Sequence, residues 1–520
     1  MDTLTSFIPI LPFLAATTIG SLHLFGILEG ERCEKTTARI ANYAMGLSCL
    51  LALTLLAADL FGQNPDSVKI AHWLQVDDFS ITLSLMTSGF SVKLATLFSV
   101  LLFIVTRFSI NYLHREAGFH RFFFVLSLFS SAMLMLVLSA NMVGTFIGWE
   151  IAGLCSYLLI AYMYDRPTAA HNATRVFITN RIGDAGFIAG ISLSYFYLHS
   201  TNWLEISHFV SQLSEQEANL IAICFALAAF VKSAQLPFTP WVARAMEGPT
   251  PSSAIFYGAV MIHSGVYLLF LIRPILEHAP LVMALLASIG LLTAIYAYFV
   301  GLTQTDIKSS LIFATSGQLG LLFLECGLGF WQLAAWHLCA HAMVRAYQFL
   351  TAPSLLHNTH HNPIKPVHPF LANHSRFYTY ALQRFWLEPA ADWMLTKPLL
   401  CLAADLNYFD KQIVDRLMGS PAPTIRAISS LAAAEERKIG AHLDNSDDTF
   451  AQGSGLAGKL TQWTAALLSW FETRFVLRGV SKDAIDMGRR LGHIANRVEQ
   501  NLLKPRYLVL FVFITLLVAF

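Results

Sequence analysis

Residues 225–270 read FALAAFVKSAQLPFTPWVARAMEGPTPSSAIFYGAVMIHSGVYLLF, and this stretch decides the fold. It begins as an apolar helix, which Lys232 interrupts shortly before Pro237 and Pro240. A proline removes a backbone donor and clashes with the preceding turn, so the sequence predicts a break near Gln235–Trp241. Within a bilayer, a broken helix persists only where protein or a water-filled cavity satisfies the freed backbone groups. A lysine beside such a break indicates an ion path. The alternative is a lysine that reaches from a helix end to the headgroups.

The composition is that of a polytopic membrane protein. Hydrophobic residues make up 55% of the chain, charged residues 13%, and the mean hydropathy is +0.55. These values exclude an ordinary soluble domain. The net charge of +1 gives no indication of nucleic-acid binding. The seven cysteines are scattered without a CxxC pair, so neither a disulfide framework nor a zinc site is indicated.

The rest of the chain contains repeated apolar runs long enough to span about 30 Å of hydrocarbon. We predict an all-α membrane domain over residues 1–356, a cytoplasmic or interfacial amphipathic region over 357–504, and a final transmembrane helix over 505–520. The first run lacks the basic flank and cleavage site of a signal peptide, so we expect a retained helix. The membrane domain is predicted to have about eleven helices: Leu4–Leu28, Ala38–Phe61, Phe79–Thr106, Phe119–Leu138, Met142–Tyr164, Ala169–Leu198, Ala218–Gln235, Ser252–Ile272, Pro280–Thr303, Ile307–Leu328 and Phe330–Leu355.

The charge of the loops predicts the orientation. Arginines and lysines concentrate in alternate loops, beginning with Arg32, Lys35 and Arg39 between the first two helices. The positive-inside rule then places the N-terminus outside and residues 357–504 in the cytoplasm. Within that region we predict amphipathic helices that lie along the membrane, dock on a soluble partner or pack on the membrane domain. They are Arg376–Leu387, Ala403–Leu417 and Trp463–Arg478.

Two carboxylates and an arginine lie within predicted membrane helices. Glu150 is well inside the fifth helix, where an isolated carboxylate is costly, and we expect it to form a switchable pair with Lys232. Arg181 and Asp184 are three residues apart and can pair on one helix face. For this second pair, a structural role and a functional role both remain open.

Histidines interrupt two of the apolar helices. His263 could pass protons near neutral pH or simply hydrogen-bond within the helix packing. His337, His341 and Arg345 follow at four-residue steps and share one helix face, where a hydrated proton relay fits better than zinc. Lys308, beside Asp306 at the start of the tenth helix, is either a gate or half of an interfacial ion pair. The histidines of the loop at 357–368 are expected to be solvated: His357, His360, His361 and His368.

These motifs resemble the antiporter-like subunits of respiratory complex I, notably NuoL, and of Mrp antiporters. The resemblance covers Phe79–Leu350 and rests on GWEIAGLCSYLLIAY, TNRIGDAGF, VKSAQLPFTPWVARAMEGPTPSSA, QTDIKSSLIFATSGQLG and HLCAHAMVRA. It implies two inverted five-helix repeats, as in other ion-coupled carriers. It also implies proton-path roles for Glu150 and Lys232, with His337 and His341 as relay groups between half-channels.

The sequence departs from this family in three places. Arg345 replaces the family's lysine, and because arginine is effectively always protonated, we expect no proton release there. Tyr257 stands where the family has a histidine, while His263 is an addition. After Leu355 there is no second broken helix with its own lysine, so the second repeat is expected to be truncated.

A shortened NuoL-like chain with a cytoplasmic amphipathic segment is similar to the DabB family of inorganic-carbon transporters. That resemblance implies a bacterial inner-membrane subunit bound to DabA, a large cytoplasmic protein with a carbonic-anhydrase-like zinc site. The chain itself is then expected to hold no cofactor and no redox or hydrolytic site.

The sequence therefore supports three hypotheses. In the first, H⁺ or Na⁺ passes through Glu150, Lys232, His263, His337 and His341 and drives CO₂ hydration in the zinc partner. In the second, the chain is a proton-pumping subunit of a respiratory or Mrp-type assembly. In the third, it is a membrane anchor in which Lys232 only stabilises packing.

Overall fold

The computed structural model describes residues 2–62, 64–76, 79–304, 306–352, 373–410 and 414. The predicted final helix, the segment Trp463–Arg478 and the loop histidines at 357–368 lie outside these residues. One compact unit covers Met1–Thr396, and a second covers Lys397–Phe520. The path predicted from the sequence lies wholly in the first unit.

Helices dominate the described residues. In chain order they are α1 (Asp2–Leu24), α2 (Glu34–Leu60), α3 (Gly89–Tyr112), α4 (Phe119–Leu138), α5 (Met142–Ile160), α6 (Pro167–Leu198), α7 (Trp203–Phe209), α8 (Glu215–Lys232), α9 (Pro240–Arg244), α10 (Thr250–Ser253), α11 (Ser264–Leu271), α12 (Arg273–Leu276), α13 (Pro280–Gly301), α14 (Ile307–Gly327), α15 (Trp331–Thr351), α16 (Ser375–Leu382), α17 (Leu387–Ala391) and, in the second unit, α18 (Lys397–Phe409). Short 3₁₀ or π turns lie between them at Glu31–Cys33, Val210–Gln212, Ala245–Glu247, Ala254–Ala259, Met261–His263, Arg384–Trp386 and Asp392–Thr396.

Eight helices of the described chain are long and apolar enough to cross a membrane. They are α1 to α5, the span Thr250–Leu271, α13 and α14. Three further predicted helices, α6, α8 and α15, form but fall outside this set. These three carry Asp184, Lys232, His337 and His341, the polar groups of the candidate path.

A β-hairpin precedes α3 in this mostly helical fold and corrects the prediction of a single helix over Phe79–Thr106. Strands β1 (Ser67–Val76) and β2 (Phe79–Met86) pair antiparallel, with Ser67 opposite Met86. The sequence FSITLSLM alternates apolar and polar residues, which is the period of a strand. Gly89, with φ +77°, then separates the strand from the helix.

The break in the membrane helix lies beside the predicted lysine. Helix α8 begins at a capping box in which Ser214 and Glu217 satisfy each other's backbone N–H groups, and it ends at Lys232. The chain resumes as α9 at Pro240. The Trp241 indole donates to the Val231 carbonyl at 2.9 Å, so one backbone group freed by the break is satisfied by protein.

The predicted eighth helix, Ser252–Ile272, is not a regular helix. It passes from α10 through a π turn at Ala254–Ala259 and a 3₁₀ turn at Met261–His263 into α11. Val260 marks the irregularity, with φ −120° and ψ −70°. Such π turns are rare and often occur at functional sites. Together with α4, this span is the most enclosed of the candidate membrane helices, since 89% of each is buried.

The segment that begins at residue 373, after the undescribed residues 353–372, packs with the membrane helices. Phe385 and Leu387 contact a buried cluster that contains Tyr296 and Phe313 of α13 and α14. These contacts belong to the compact unit that runs to Thr396. The predicted helix Arg376–Leu387 is shorter than expected, because α16 ends at Leu382, whereas most of the part of the predicted helix Ala403–Leu417 that follows α18 lies outside the described residues.

Three consecutive residues end the predicted helix Arg376–Leu387. Arg384, Phe385 and Trp386 have φ values of 50°, 54° and 52°. Side chains other than glycine rarely adopt this left-handed conformation in succession, and it is incompatible with a continuing right-handed helix. The chain therefore turns between α16 and α17, and the turn brings Phe385 against Tyr296.

Candidate ion path

Lys232, at the end of α8, is enclosed by protein with 1% of its surface exposed. Its ammonium donates to the Trp149 carbonyl at 3.3 Å and lies 4.7 Å from the centre of the Trp149 ring. A ring face attracts a cation, most strongly where water is excluded. The Lys232 side chain is thus held inside the protein by Trp149 of α5.

Glu150 and Asp184 share a single arginine. Arg181 pairs with Glu150 through Nη1 and with Asp184 through Nη2, the latter at 2.8 Å. The Trp149 indole donates to Asp184 Oδ1 at 2.7 Å. The expected pair between Glu150 and Lys232 is therefore not formed in this structure. Arg181 is the nearer cation, because it projects from α6 directly opposite Glu150 on α5.

The two cations nevertheless face one small region. A methyl group built on Gly153 would lie 3.3 Å from Arg181 Nη2 and 3.6 Å from Lys232 Nζ. Glycine at this position of α5 leaves room for both groups beside the helix backbone. The second oxygen of Glu150, Oε1, is buried without a hydrogen-bond partner. Asp184 Oδ2 also makes no hydrogen bond beyond its ion pair with Arg181, so two cations and two carboxylates lie together with two oxygens that lack a hydrogen-bond donor.

His263 and His341 are directly hydrogen-bonded. His263 Nε2 and His341 Nδ1 are 2.8 Å apart, and Arg345 Nε donates to His341 Nε2 at 3.1 Å. A neutral His341 must then carry its proton on Nδ1 and donate it to His263. His263 in turn holds its proton on Nδ1, which is buried without a partner. The structure therefore places the added histidine next to the histidine of the family motif.

The break in α8 lies against the segment that carries His263. Ser233, the residue after Lys232, donates its hydroxyl to the Ile262 carbonyl at 2.7 Å. A methyl group on Gly265 would lie 2.3 Å from this hydroxyl and 2.6 Å from the Ala229 carbonyl, so only glycine permits the approach. The two irregular helices thus meet at the predicted path.

His337 lies one helical turn from His341, with ring centres 6.1 Å apart. Its Nδ1 is 2.9 Å from Glu325 Oε1 and its Nε2 is 2.9 Å from Gln318 Oε1. Glu325 is not among the path residues predicted from the sequence. Its signal was available, since this acidic residue interrupts the apolar run LLFLECGLG of α14.

Lys308 and Asp306 do not form the alternative ion pair. The Lys308 ammonium donates to Thr250 Oγ1 at 2.6 Å, and Tyr112 contacts the same hydroxyl at 2.9 Å. Asp306 instead caps α14, accepting from the Ser309 backbone at 2.9 Å. Helix capping fixes Asp306 at the first turn, and Lys308 extends toward α10. Lys308 therefore lies at one end of the membrane helices, apart from the hydrogen bonds that join the histidines.

In the described part of the chain, no group of three or more His, Cys, Asp or Glu side chains is arranged to hold a metal ion. Tyr257, which stands where the resemblance expects a histidine, is fully buried and donates its hydroxyl to the Ala245 carbonyl. The titratable groups of the path are therefore carboxylates, a lysine and histidines.

Two protein families match the chain. Residues 139–383 match the family described as NADH:quinone oxidoreductase/Mrp antiporter, transmembrane, and residues 73–123 match complex I chain 5 N-terminus. Among curated proteins, the chloroplastic NAD(P)H-quinone oxidoreductase subunit 5 of Nephroselmis olivacea is 36% identical over 358 residues, which cover 67% of this chain and 55% of the relative. Chain 5 of the enzyme from Synechocystis sp. is 34% identical over 371 residues, covering 69% and 54%. The chain spans about half the length of these relatives.

Two solved structures share the fold. A chain of the Mrp complex from Dietzia sp. has a TM-score of 0.58 at 27% identity, covering 67% of this chain and 37% of the other. A chain of the archaeal membrane-bound sulfane sulfur reductase has a TM-score of 0.57 at 19% identity, covering 66% and 70%. The second similarity concerns the fold alone.

Proposed function

Because the chain belongs to the antiporter-like superfamily that includes complex I subunit 5 and the Mrp antiporters, we propose that it is a cation-translocating membrane subunit of a larger assembly. The observation that carries this proposal is the enclosed Lys232 at the end of a broken helix, beside two carboxylates and an arginine. A charge at this depth is costly unless it is paired, and in membrane proteins such groups usually serve transport.

The charge balance of this cluster makes it sensitive to a single proton. Glu150 and Asp184 together offset Arg181 and Lys232, so the cluster is neutral when all four groups are ionised. Removing the Lys232 proton leaves Arg181, which pairs with both carboxylates, as the one cation of these four groups, and restoring the proton draws a carboxylate toward Lys232. At about 4 Å and an effective dielectric of 20, one such pair is worth roughly 4 kcal/mol. That energy is sufficient to bias a gate between two arrangements of side chains.

The histidines supply the next steps of the proposed path. The contact between Ser233 and the Ile262 carbonyl supports coupling, because a change at Lys232 shifts the residue that holds the His263 segment. A proton that reaches His263 can pass to His341 along their 2.8 Å hydrogen bond once His341 carries its own proton on Nε2 in place of Nδ1, which requires Arg345 to withdraw from Nε2. Grotthuss-type transfer between hydrogen-bonded groups favours H⁺ over Na⁺ as the ion for this part of the path.

The test is ion flux in membrane vesicles from cells that produce the full chain with its copurifying proteins. A potassium diffusion potential provides the driving force, and an internal pH dye reports the flux. We expect Lys232→Ala and Glu150→Gln to lower proton flux at least tenfold at unchanged expression. Lys93→Ala is the matched control, because Lys93 is an exposed lysine near the start of α3. Flux that remains normal in Lys232→Ala would overturn the proposal.

The identity of the assembly is a further part of the proposal. The relatives are subunits of NAD(P)H-quinone oxidoreductases and an Mrp complex, which favours a respiratory or Mrp-type assembly over a simple anchor. The departures at Tyr257 and His263 instead favour the DabB-type inorganic-carbon complex inferred from the sequence. Copurification distinguishes them: several membrane antiporter-like subunits with NADH-linked activity support the first, and a single large zinc protein of the DabA type supports the second.

A further inference from the structure

The histidine chain has a carboxylate at one end that the path predicted from the sequence does not include. We propose that Glu325, paired with His337, is the residue from which the proton leaves the path. This inference rests on the proposed function, because it assigns the exit of the same path. Glu325 is a titratable group on α14, a helix on which the sequence predicted only Lys308 as a path residue.

The His337 ring is placed between two oxygen acceptors. Its Nδ1 lies 2.9 Å from Glu325 Oε1, and its Nε2 lies 2.9 Å from the Gln318 amide oxygen. A neutral imidazole has only one N–H group, whereas the imidazolium has two. The neutral ring therefore keeps one of the two donations, and the ring can donate to both oxygens at once only as the imidazolium, with the Glu325 carboxylate as the acceptor at Nδ1. Such a pair stores one proton within a charge-assisted hydrogen bond.

The outer two groups, His337 and Glu325, are more exposed than the inner two, His263 and His341. His263 is fully buried and His341 is 6% exposed, whereas the side chains of His337 and Glu325 are 18% and 16% exposed. Glu325 is also two residues from the end of α14 at Gly327, where the chain turns into α15. The order of the groups therefore leads from the enclosed centre to one end of the helices. By the orientation predicted from the sequence, that end faces outside.

Arg345 blocks proton transfer from His341 away from His337. Its Nε donates to His341 Nε2 at 3.1 Å, and Nη1 donates to Gln348 at 2.8 Å. A guanidinium keeps its proton at physiological pH and has no acceptor site, so it neither takes a proton from His341 nor passes one on. Of the titratable groups near His341, His337 is the one that leads on to a carboxylate.

The proposed release takes place in three proton transfers. His337 in its neutral form accepts a proton that arrives from His341, after a ring rotation or through a bridging water. The imidazolium then gives its Nδ1 proton to Glu325 Oε1, which forms a neutral carboxyl group. Glu325 loses this proton to water at the end of α14, and the carboxylate that remains pairs with the next imidazolium. No electron or co-reactant is required.

The experiment compares Glu325→Gln with the unchanged protein in the same vesicle assay. We expect proton flux to fall by about 10²-fold, the lower end of the contribution of a positioned proton-transfer group. Glu325→Asp should restore much of the flux. Small weak acids such as formate or azide should rescue Glu325→Gln by carrying the proton, whereas they would not repair a structural defect.

Glu277→Gln is the matched control. Glu277 follows α12 at the same predicted face, is 44% exposed and pairs with Arg273 at 2.7 Å, outside the path. We expect normal flux in this variant. Loss of flux in Lys232→Ala together with normal flux and an unchanged pH profile in Glu325→Gln would overturn the exit and leave the proposed function standing. Loss of flux in Glu325→Gln that no weak acid rescues would also overturn the exit.

Discussion

At the scale of single residues, the most informative feature is that two carboxylates pair with the same one of two neighbouring cations. Arg181 forms ion pairs with both Glu150 and Asp184, while Lys232 contacts the carbonyl and the ring of Trp149. Trp149 itself also donates to Asp184 at 2.7 Å. No member of this cluster can change its charge without altering the partners of the others. The cluster therefore acts as one unit in which the position of a proton decides which pairs form.

The role of Arg181 leads to a prediction about stability. Arg181→Met leaves Glu150 and Asp184 with Lys232 as their shared cation. Breaking a fully buried pair costs about 3–5 kcal/mol. The Arg181 side chain is 33% exposed, so we expect a smaller loss of roughly 2 kcal/mol. Thermal unfolding of the detergent-solubilised complex measures the change.

Two further variants control for shape and charge. Arg181→Lys keeps the positive charge and should lose less stability, although it cannot bridge both carboxylates in the same way. Arg181→Met combined with Asp184→Asn removes one unpaired carboxylate and should recover part of the loss. An unfolding temperature in Arg181→Met equal to that of the unchanged protein would contradict this account of the cluster.

At the scale of secondary-structure elements, the path lies where two helices are irregular. Helix α8 ends at Lys232, and the span Thr250–Leu271 contains a π turn and a 3₁₀ turn before α11. Regular membrane helices satisfy their own backbone groups, so their backbone offers nothing to an ion or to a neighbouring side chain. The Ser233 hydroxyl can reach the Ile262 carbonyl because the π and 3₁₀ turns depart from the regular helical bonding pattern. Irregularity in both helices is thus what links Lys232 to His263.

Other helices depend on close backbone contact for their packing. Helices α13 and α14 approach each other at Gly290 and Gly320, and a methyl group on Gly290 would lie 2.5 Å from the Gly320 carbonyl. Small residues drive such packing in membranes, where burial of apolar surface adds little. We predict that Gly290→Ala destabilises the protein by about 1–3 kcal/mol, as overpacking does in other cores. Thermal unfolding in detergent is again the measurement.

Gly317→Ala on α14 is the control for this prediction. Its added methyl group would lie 3.5 Å from the Ala297 Cβ, an ordinary contact. We expect its unfolding temperature to equal that of the unchanged protein or exceed it slightly, because alanine favours a helix over glycine. Equal destabilisation by both substitutions would show that backbone approach is not the cause.

At the scale of the whole molecule, ion pairs hold the segment from Arg384 to Thr396 against the membrane helices. Glu388 faces Arg175 of α6 at 3.6 Å and Arg384 at 3.9 Å, and it also pairs with Arg244 of α9. Asp392 pairs with Arg175 as well. Since α9 follows the break at Lys232, the segment and the broken helix are mechanically connected. A partner that displaced this segment would act on the short helix next to the path.

These ion pairs predict how fast the backbone amide hydrogens of the segment exchange with solvent. Glu388→Ala leaves Arg175, Arg244 and Arg384 competing for fewer acceptors, and we expect amide hydrogen exchange over 384–396 to accelerate roughly tenfold, about 1.4 kcal/mol of local stability. High salt should accelerate exchange in the unchanged protein too, because these partly exposed pairs are screened. Hydrogen exchange with mass spectrometry measures both effects.

Arg166→Ala serves as the comparison for the Glu388 variant. Arg166 is 63% exposed and lies 3.7 Å from Glu247, a surface pair that contributes little. Exchange over 384–396 should be unchanged in this variant. If Glu388→Ala exchanged at the same rate as Arg166→Ala, other contacts, such as that of Phe385 with Tyr296, would hold the segment.

The sequence by itself determined the membrane fold and the site of the helix break. Apolar runs of sufficient length imply spans, and prolines after Lys232 end a helix regardless of its neighbours. The antiporter-like motifs predicted the superfamily that the comparisons then matched. The hairpin at residues 67–86 was missed because an apolar run of this composition fits a strand or a helix, and only its period of two distinguished them.

Only the tertiary structure decided which charges meet. The sequence placed Glu150, Arg181, Asp184 and Lys232 on three helices, but the partner of each depends on the rotation and depth of those helices. Likewise, the hydrogen bond of His263 to His341 and that of His337 to Glu325 join residues whose distance the chain order leaves open. Helix formation follows from local chemistry, whereas the pairing of side chains between helices depends on packing of the whole bundle.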